Sequence, residues 1–225
     1  GGKWINPSSS TLMDVINPST EEVYLTIPRS SPEDVDAAIQ AAFDAKELWQ
    51  NTPLDERITF LSKALQYMEE NQQDLALAIS REMGSPISSA LKVQVQGPLR
   101  NFGNYLALAE ETPFVEEHQG YLLYRDPVGV VSCMTPWNYP LNQVIQKVIP
   151  ALVTGNTVVL KPSSESPSPA FYLAEAFHQA NLPAGVFNMI TGKGSDVGEQ
   201  LSSDPRIDMV SFTGSTKVGK EIQHH

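Results

Sequence analysis

The sequence has a single cysteine among its 225 residues, Cys133. One cysteine excludes an internal disulfide, and no charged segment followed by an apolar one opens the chain, so the sequence gives no support for a secretory route. The four histidines form no metal-ligand spacing with cysteine or carboxylates. We therefore expect a cytoplasmic protein without a metal site.

Positive charge is also scarce. Lysine and arginine number 15 against 26 aspartates and glutamates, which gives a net charge of −11. Without a basic patch the chain has little to offer a nucleic acid or an anionic membrane surface, so neither is expected as a partner. No apolar run approaches the roughly 20 residues that span a bilayer. With 41% hydrophobic residues, the chain can bury one core, or one core and a partial second domain.

The first half of the sequence predicts a short antiparallel meander followed by helices. The meander covers residues 3–28, with turns at Asn6-Pro7 and Asn17-Pro18 and these strand formers: Trp4, Ile5, Val15, Ile16, Val23, Tyr24 and Ile27. A hydroxyl, a proline and two acids at residues 31–34 predict the start of the first helix. Three further helices are expected after Pro53, over residues 74–83 and over residues 87–110.

From Pro113 onward the pattern changes to strands and then to strands alternating with helices. Strands at residues 114–115 and 121–125 are expected around a hairpin-like connection at residues 116–120. Strands are then predicted at residues 128–133, 157–160, 186–190 and 209–212, with helices at 142–153, 168–180 and 195–201. This order predicts an α/β fold with a Rossmann-like, doubly wound parallel sheet.

Three loops at predicted strand ends carry residues suited to a nucleotide. Lys161 ends one strand, where parallel sheets bind ligands, and can donate to ribose hydroxyls or phosphate. Glycines between Gly192 and Gly198 let a nucleotide approach the backbone, although such glycines alone are equally typical of simple turns. Ser215, within a Phe-Thr-Gly-Ser run, is placed to cap a helix or to contact pyrophosphate.

Together, Thr-Pro-Trp-Asn-Tyr-Pro at 135–140, Lys-Pro-Ser at 161–163 and Phe-Thr-Gly-Ser at 212–215 resemble the aldehyde dehydrogenase superfamily. The resemblance covers residues 3–219 and implies a truncated form of that fold. Residues 1–113 would be the meander and helices of the cofactor-binding domain, 114–126 the start of an oligomerisation arm, and 127–225 an incomplete NAD(P)-binding domain. A homo-oligomer and a small-molecule aldehyde substrate are implied for the parent enzyme.

The resemblance also implies roles for individual residues, by their positions in the motifs. Asn138 would stabilise the oxyanion that forms when a thiolate attacks the aldehyde. The alternative is a purely structural role for Asn138 in an Asx-type turn before Pro140. Lys161 would bind the adenosine ribose, Ser215 the pyrophosphate, and Val218 would lie near the adenine. The remaining implied cofactor-binding residues are Thr135, Pro136, Trp137, Ser163, Ser164, Gly194, Gly198, Phe212, Thr213 and Gly214.

One departure from the family pattern bears on the choice between NAD and NADP. Many NAD-preferring relatives have glutamate three residues after the lysine, but this chain has Ser164 there and Glu165 one position later. A carboxylate accepts from the ribose 2′-OH and repels a 2′-phosphate, whereas serine can donate to phosphate. NADP is therefore acceptable, unless Glu165 takes over the role.

In the family, the nucleophilic cysteine and the general-base glutamate follow the last of these motifs. Cys133 precedes the Asn138 motif within an apolar strand, so we interpret it as a structural residue. Two hypotheses remain: the chain supplies cofactor binding and the oxyanion-stabilising Asn138 to an aldehyde-oxidising enzyme, or it is an inactive nucleotide-binding module. In either case the chain alone is expected to be inactive.

Overall fold

A β-hairpin opens the fold. In the computed structural model, which describes residues 2–224, strands β1 (Leu12–Asn17) and β2 (Glu22–Pro28) pair antiparallel around the turn expected after Asn17. The meander is thus limited to two strands, and the prediction of strand residues at Trp4 and Ile5 was wrong. The Trp4 ring stacks on Phe171, with ring centroids 5.8 Å apart, so its aromatic character serves packing.

Three helices follow: α1 (Pro32–Asn51), α2 (Leu54–Glu70) and α3 (Gln72–Met83). The start of α1 is as predicted, because the Ser31 side chain accepts from the Asp34 amide and the Asp34 carboxylate accepts from the Ser31 amide. Helix α3 ends at Gly84, whose left-handed backbone (φ 69°) stops the helix. The helix boundaries therefore agree closely with the capping signals.

The fourth predicted helix is interrupted by a π-helical segment. It consists of α4 (Ile87–Ser89), the π segment Ala90–Gln96 and α5 (Gly97–Glu111). Pro98 has no amide hydrogen to donate to the Gln94 carbonyl, and its ring would crowd that carbonyl in a regular α-helix. The wider π segment accommodates the proline without ending the helix.

A second hairpin projects after α5. Strands β3 (Val115–His118) and β4 (Tyr121–Tyr124) pair antiparallel, with Val115 opposite Tyr124. A hairpin was predicted here, but residues 116–118, expected in the connection, belong to β3 because they pair with residues 121–123. Arg125 fixes the base of this hairpin, because its guanidinium group pairs with the Glu116 carboxylate and donates to the Pro113 carbonyl. All four side chains of β4 are exposed.

The second half forms a four-stranded parallel sheet, as predicted. Its elements are β5 (Val130–Met134), α6 (Pro140–Val153), β6 (Thr157–Lys161), α7 (Ser168–Gln179), β7 (Phe187–Met189), α8 (Gly194–Ser203), β8 (Met209–Phe212) and α9 (Thr216–His224). The spatial order is β7-β6-β5-β8: β6 and β7 are added on one side of β5, and β8 is added on the other, so the strand order reverses between β5 and β8. A doubly wound sheet has its ligand crevice at such a reversal.

Both faces of the sheet are covered by apolar side chains. One face contributes to the main core with α2, α5, α6 and α7, and the other packs on α1 and α8. Trp49 of α1 is fully buried and its indole N–H donates to the Leu152 carbonyl at 2.9 Å. No helix within residues 2–224 is long and apolar enough to cross a membrane. Residues 1 and 225, at which the first predicted domain begins and the last one ends, lie outside the described residues.

Candidate functional site

Three loops meet at the carboxyl ends of β5, β6 and β8. They are residues 135–139, 162–167 and 213–215. The Thr135 amide donates to the Lys161 carbonyl at 3.2 Å, and the Thr213 amide donates to the Met134 carbonyl at the same distance. The structure therefore brings together the three motifs that the sequence singled out.

Asn138 and Trp137 are exposed on the loop that enters α6. Tyr139, the residue before the helix, has left-handed backbone angles (φ 52°, ψ 50°), and Pro140 begins the helix. A hydrogen bond of 2.9 Å from the Ser166 hydroxyl to the Trp137 carbonyl links this loop to the one after β6. The Asn138 amide thus extends from a loop that is held on both sides, with Pro136 half-buried at its start.

Lys161 is a buried cation at the end of β6. Its side chain is 7% exposed, and its ammonium group directs one N–H at the Pro162 carbonyl at 2.9 Å. Burial lowers the pKa of Lys161 to about 8. An ammonium group has three donors, so hydroxyl or phosphate acceptors from a ligand would offset the loss of water around this charge.

The loop after Lys161 brings Ser164 and Glu165 side by side. The Ser163 hydroxyl accepts from the Glu165 amide at 3.2 Å, and the Ser164 hydroxyl donates to the Glu165 carboxylate at 3.4 Å. Glu165 is exposed, whereas Ser164 is half-buried. A hydroxyl donor and a carboxylate acceptor are therefore available at one point.

Gly194 and Gly198 lie on the first turns of α8. A Cβ atom added at either position would meet no heavy atom of another described residue within 4 Å, and neither glycine has a positive φ. Neither backbone strain nor packing within residues 2–224 therefore demands glycine there. The open space above the helix N-terminus is compatible with close approach of a nucleotide.

The loop after β8 is compact. A Cβ at Gly214 would collide with the Phe212 ring, so a larger residue there would require that ring to move. The Ser215 hydroxyl accepts from the Val218 amide at 3.3 Å and caps α9, which is one of the two roles that the sequence allowed. Ser215, just before α9, and Val218, in its first turn, are both exposed.

Cys133 lies in the middle of β5 and its side chain is fully buried. Burial raises the pKa of its thiol to about 12, although the positive charge of Lys147 partly opposes the rise. A thiol in this state is not a nucleophile near neutral pH.

Sequence reasoning missed two side chains behind the loops, Glu82 and Ser166, both of which are buried. The Glu82 carboxylate accepts from the Ser168 amide and hydroxyl, and burial raises the pKa of Glu82 to about 7. An isolated acid near a helix end carries no recognisable motif, so only the fold reveals its partner.

A cavity of about 570 Å³ lies elsewhere, between the N-terminal segment, α1 and α7. Trp4, Phe171 and Phe187 contribute to its largely apolar lining, and it contains none of the site residues predicted from the sequence.

Several known proteins are similar to this chain over nearly its whole length. A 3-succinoylsemialdehyde-pyridine dehydrogenase of a Pseudomonas species is 39% identical over 97% of this chain and 46% of its own length. A mutant aldehyde dehydrogenase C of Pseudomonas syringae, solved with NAD+ and octanal, is 39% identical with a TM-score of 0.96, over 99% of this chain and 46% of that one. An NADP-dependent glyceraldehyde-3-phosphate dehydrogenase of Bacillus halodurans, solved with NADP, is 32% identical with a TM-score of 0.93, over 99% of this chain and 49% of that one.

The chain spans about half the length of the curated relatives it matches. The fold over that half is the one that the resemblance implied, an α/β aldehyde dehydrogenase fold with a parallel sheet. The sequence profile of the aldehyde dehydrogenase family matches residues 4–225, and the chain therefore belongs to the aldehyde dehydrogenase family.

Proposed function

We propose that this chain is the cofactor-binding part of an enzyme that oxidises an aldehyde to a carboxylic acid with NAD+ or NADP+. The observation that carries the proposal is the convergence of three hydrogen-bonded loops, with a buried lysine among them, at the reversal point of the sheet. Relatives solved with NAD+ and with NADP support the choice of cofactor class. The bound cofactor would supply the acceptor for the hydride.

The residues present fit a dinucleotide. Lys161 would donate to the adenosine ribose, which would provide the acceptors that its buried ammonium group needs. Ser215 and the amides at the start of α9 would face the pyrophosphate, and Val218 would pack near the adenine. Thr135, Pro136 and Trp137 would line the cofactor channel, and the open space at Gly194 and Gly198 would lie along the adenosine. The further residues of this proposed site are Ser163, Ser164, Phe212, Thr213 and Gly214.

Asn138 would act on the aldehyde. When a thiolate attacks the carbonyl carbon, negative charge develops on the carbonyl oxygen, and an amide N–H aimed at that oxygen lowers the barrier by about 3 kcal/mol. Loss of hydride from the resulting thiohemiacetal gives a thioester, which water then hydrolyses to the acid. The fixed loop around Asn138 would hold its amide in place for this step.

The thiolate is not supplied by Cys133, whose side chain is buried in β5 and whose pKa is raised to about 12. Because the 225 residues contain no other cysteine, we propose that the chain alone does not oxidise aldehydes. The second candidate function is a nucleotide-binding module without turnover. A reading frame that continues into a cysteine-bearing catalytic segment would decide for the enzyme.

Self-association belongs to the proposal as well. The β3–β4 hairpin projects with Tyr121, Leu122, Leu123 and Tyr124 exposed, and strands of this kind seek partners. We propose that the hairpin is the start of an arm that pairs protomers in a homo-oligomer. We also propose a cytosolic location, in keeping with a sequence whose single cysteine can form no internal disulfide.

Calorimetric titration of the chain with NAD+ and NADP+ tests cofactor binding. Lys161→Met should abolish binding of both, whereas Lys63→Met, which replaces an exposed lysine of α2, should not change it. Equal binding by the chain and the Lys161→Met variant would refute the assignment of the site.

A further inference from the structure

The carboxylate of Glu82 holds the start of α7, although it comes from the end of α3. Its oxygens lie 3.0 and 3.2 Å from the Ser168 amide, and the Ser168 hydroxyl also donates to it. Glu82 is 5% exposed. The two residues are separated by 86 positions in the sequence, so this contact joins the helical layer to the loop after β6.

Helix α7 has no cap of its own. Its N-cap residue is Pro167, whose side chain makes no capping hydrogen bond, so the first amides of the helix need an acceptor from elsewhere. A carboxylate is the strongest acceptor that a side chain can place at a helix N-terminus. Burial destabilises the ionised carboxylate and raises the pKa of Glu82 to about 7, and a neutral acceptor would avoid this penalty. The presence of an acid therefore points to a requirement for strong anchoring.

The loop anchored in this way carries the proposed cofactor residues and contacts the Asn138 loop. It starts at Lys161, whose carbonyl accepts from the Thr135 amide, and it ends at Ser168 on Glu82. Two residues before that end, Ser166 is buried and donates to the Trp137 carbonyl, next to Asn138. Displacing Ser168 would therefore displace Ser166 and the support of the Asn138 loop.

We propose that Glu82 is a positioning residue: it fixes Ser168 and, through Ser166, sets the placement of both the 162–167 loop and the Trp137-Asn138 pair. The inference of a catalytic consequence rests on the proposed function, but the mechanical link does not. Glu82 is buried behind the loop and would contact neither cofactor nor aldehyde.

Hydrogen exchange of the chain without cofactor tests the link by itself. In Glu82→Ala, exchange of the hydrogen-bonded amides within and beside the two loops, which are Thr135, Gln143, Glu165 and Ser168, should accelerate by about tenfold or more, since a charge-assisted hydrogen bond is lost. Ile79→Val is the matched control, because it trims a fully buried side chain of the same helix and lowers stability without touching Ser168. Equal acceleration in both variants, or none in Glu82→Ala, would overturn the proposal.

Two more variants separate anchoring from charge. Glu82→Gln keeps an acceptor for the Ser168 amide and should restore much of the protection. Ser166→Ala removes only the second link, so it should speed exchange of the Gln143 amide, which donates to the Tyr139 carbonyl, and leave the Ser168 amide protected. If the Gln143 amide exchanges as slowly in Ser166→Ala as in the unmodified chain, the link to the Asn138 loop is refuted.

Cofactor titration of the same variants distinguishes this inference from the proposed function. Weaker NAD+ or NADP+ binding in Glu82→Ala than in Ile79→Val supports positioning of the cofactor loop. If the unmodified chain binds neither cofactor while the exchange results hold, the proposed cofactor site fails and the mechanical role of Glu82 stands. Unchanged cofactor affinity in Glu82→Ala, in a chain that binds, would refute its role in placing that loop.

Discussion

Replacing Lys161 by methionine should stabilise the fold at neutral pH while it removes cofactor binding. Lys161 is 7% exposed, and the one hydrogen bond that its ammonium group makes within residues 2–224 goes to the Pro162 carbonyl. Methionine has a similar length and no charge, so it fits the buried stem without the desolvation penalty. The variant thus separates what the lysine does for the fold from what it does for a ligand.

The magnitude follows from the pKa. Burial lowers the pKa of Lys161 from 10.5 to about 8, a difference that corresponds to about 3 kcal/mol as an upper limit. Below pH 8 the lysine is charged in both the folded and the unfolded chain, and the full penalty applies. Between pH 8 and 10.5 the unfolded chain binds one more proton than the folded chain, so the free energy of unfolding rises with pH. The advantage of Lys161→Met should therefore shrink over that range.

Urea denaturation of the chain and of Lys161→Met at pH 7 and at pH 10 measures this difference. Other groups that titrate in the range are shared by both proteins and cancel in the comparison. Lys63→Met, at an exposed site on α2, should change the free energy of unfolding by less than about 0.5 kcal/mol. A stability difference between the chain and Lys161→Met that is the same at both pH values would refute the assignment of a desolvated ammonium group.

Three further predictions concern other parts of the chain. Ser164→Glu should weaken NADP+ binding by about tenfold, because a carboxylate repels the 2′-phosphate; loss of NAD+ binding with unchanged NADP+ binding would contradict this. Cys133 should resist a thiol reagent at pH 8 until urea unfolds the chain, and reduced-cofactor absorbance should show no aldehyde oxidation by the chain; turnover that Cys133→Ala abolishes would contradict both. Light scattering should show self-association that charged substitutions at Leu122 and Tyr124 reduce, and a chain that stays monomeric at high concentration would contradict the arm assignment.

The order of elements could be predicted because each carries a local signal. The capping residues at 31–34 and the buried run of β5 report hydrogen bonding and burial that depend on near neighbours in the sequence. The strand expected at Trp4 and the regular helix expected across Pro98 did not form. In the first case a distant partner, Phe171, explains the aromatic residue, and in the second a proline is accommodated by a wider helical turn.

The site was predictable in part for the same reason. Lys161, Asn138 and Ser215 belong to local runs at strand ends, and the parallel sheet brings such ends together. Their assigned roles remain predictions. The burial of Lys161 and the contact between Glu82 and Ser168 depend on residues far apart in the chain, which no periodicity or spacing could indicate.

Two buried charges flank the same loop, and both carry a desolvation penalty within the fold. Burial lowers the pKa of Lys161 at the start of the loop and raises the pKa of Glu82 at its end. Within residues 2–224 the hydrogen-bond partners of each are backbone and hydroxyl groups rather than the opposite charge, so the two charges form no ion pair with each other. Glu82 gains the helix N-terminus, whereas Lys161 has donors left for a ligand. This difference follows from the proposed roles of the two residues. Glu82 only anchors a loop, so its hydrogen bonds are complete before a ligand binds. Lys161 binds the ligand, so some of its donors have no partner until the ligand arrives.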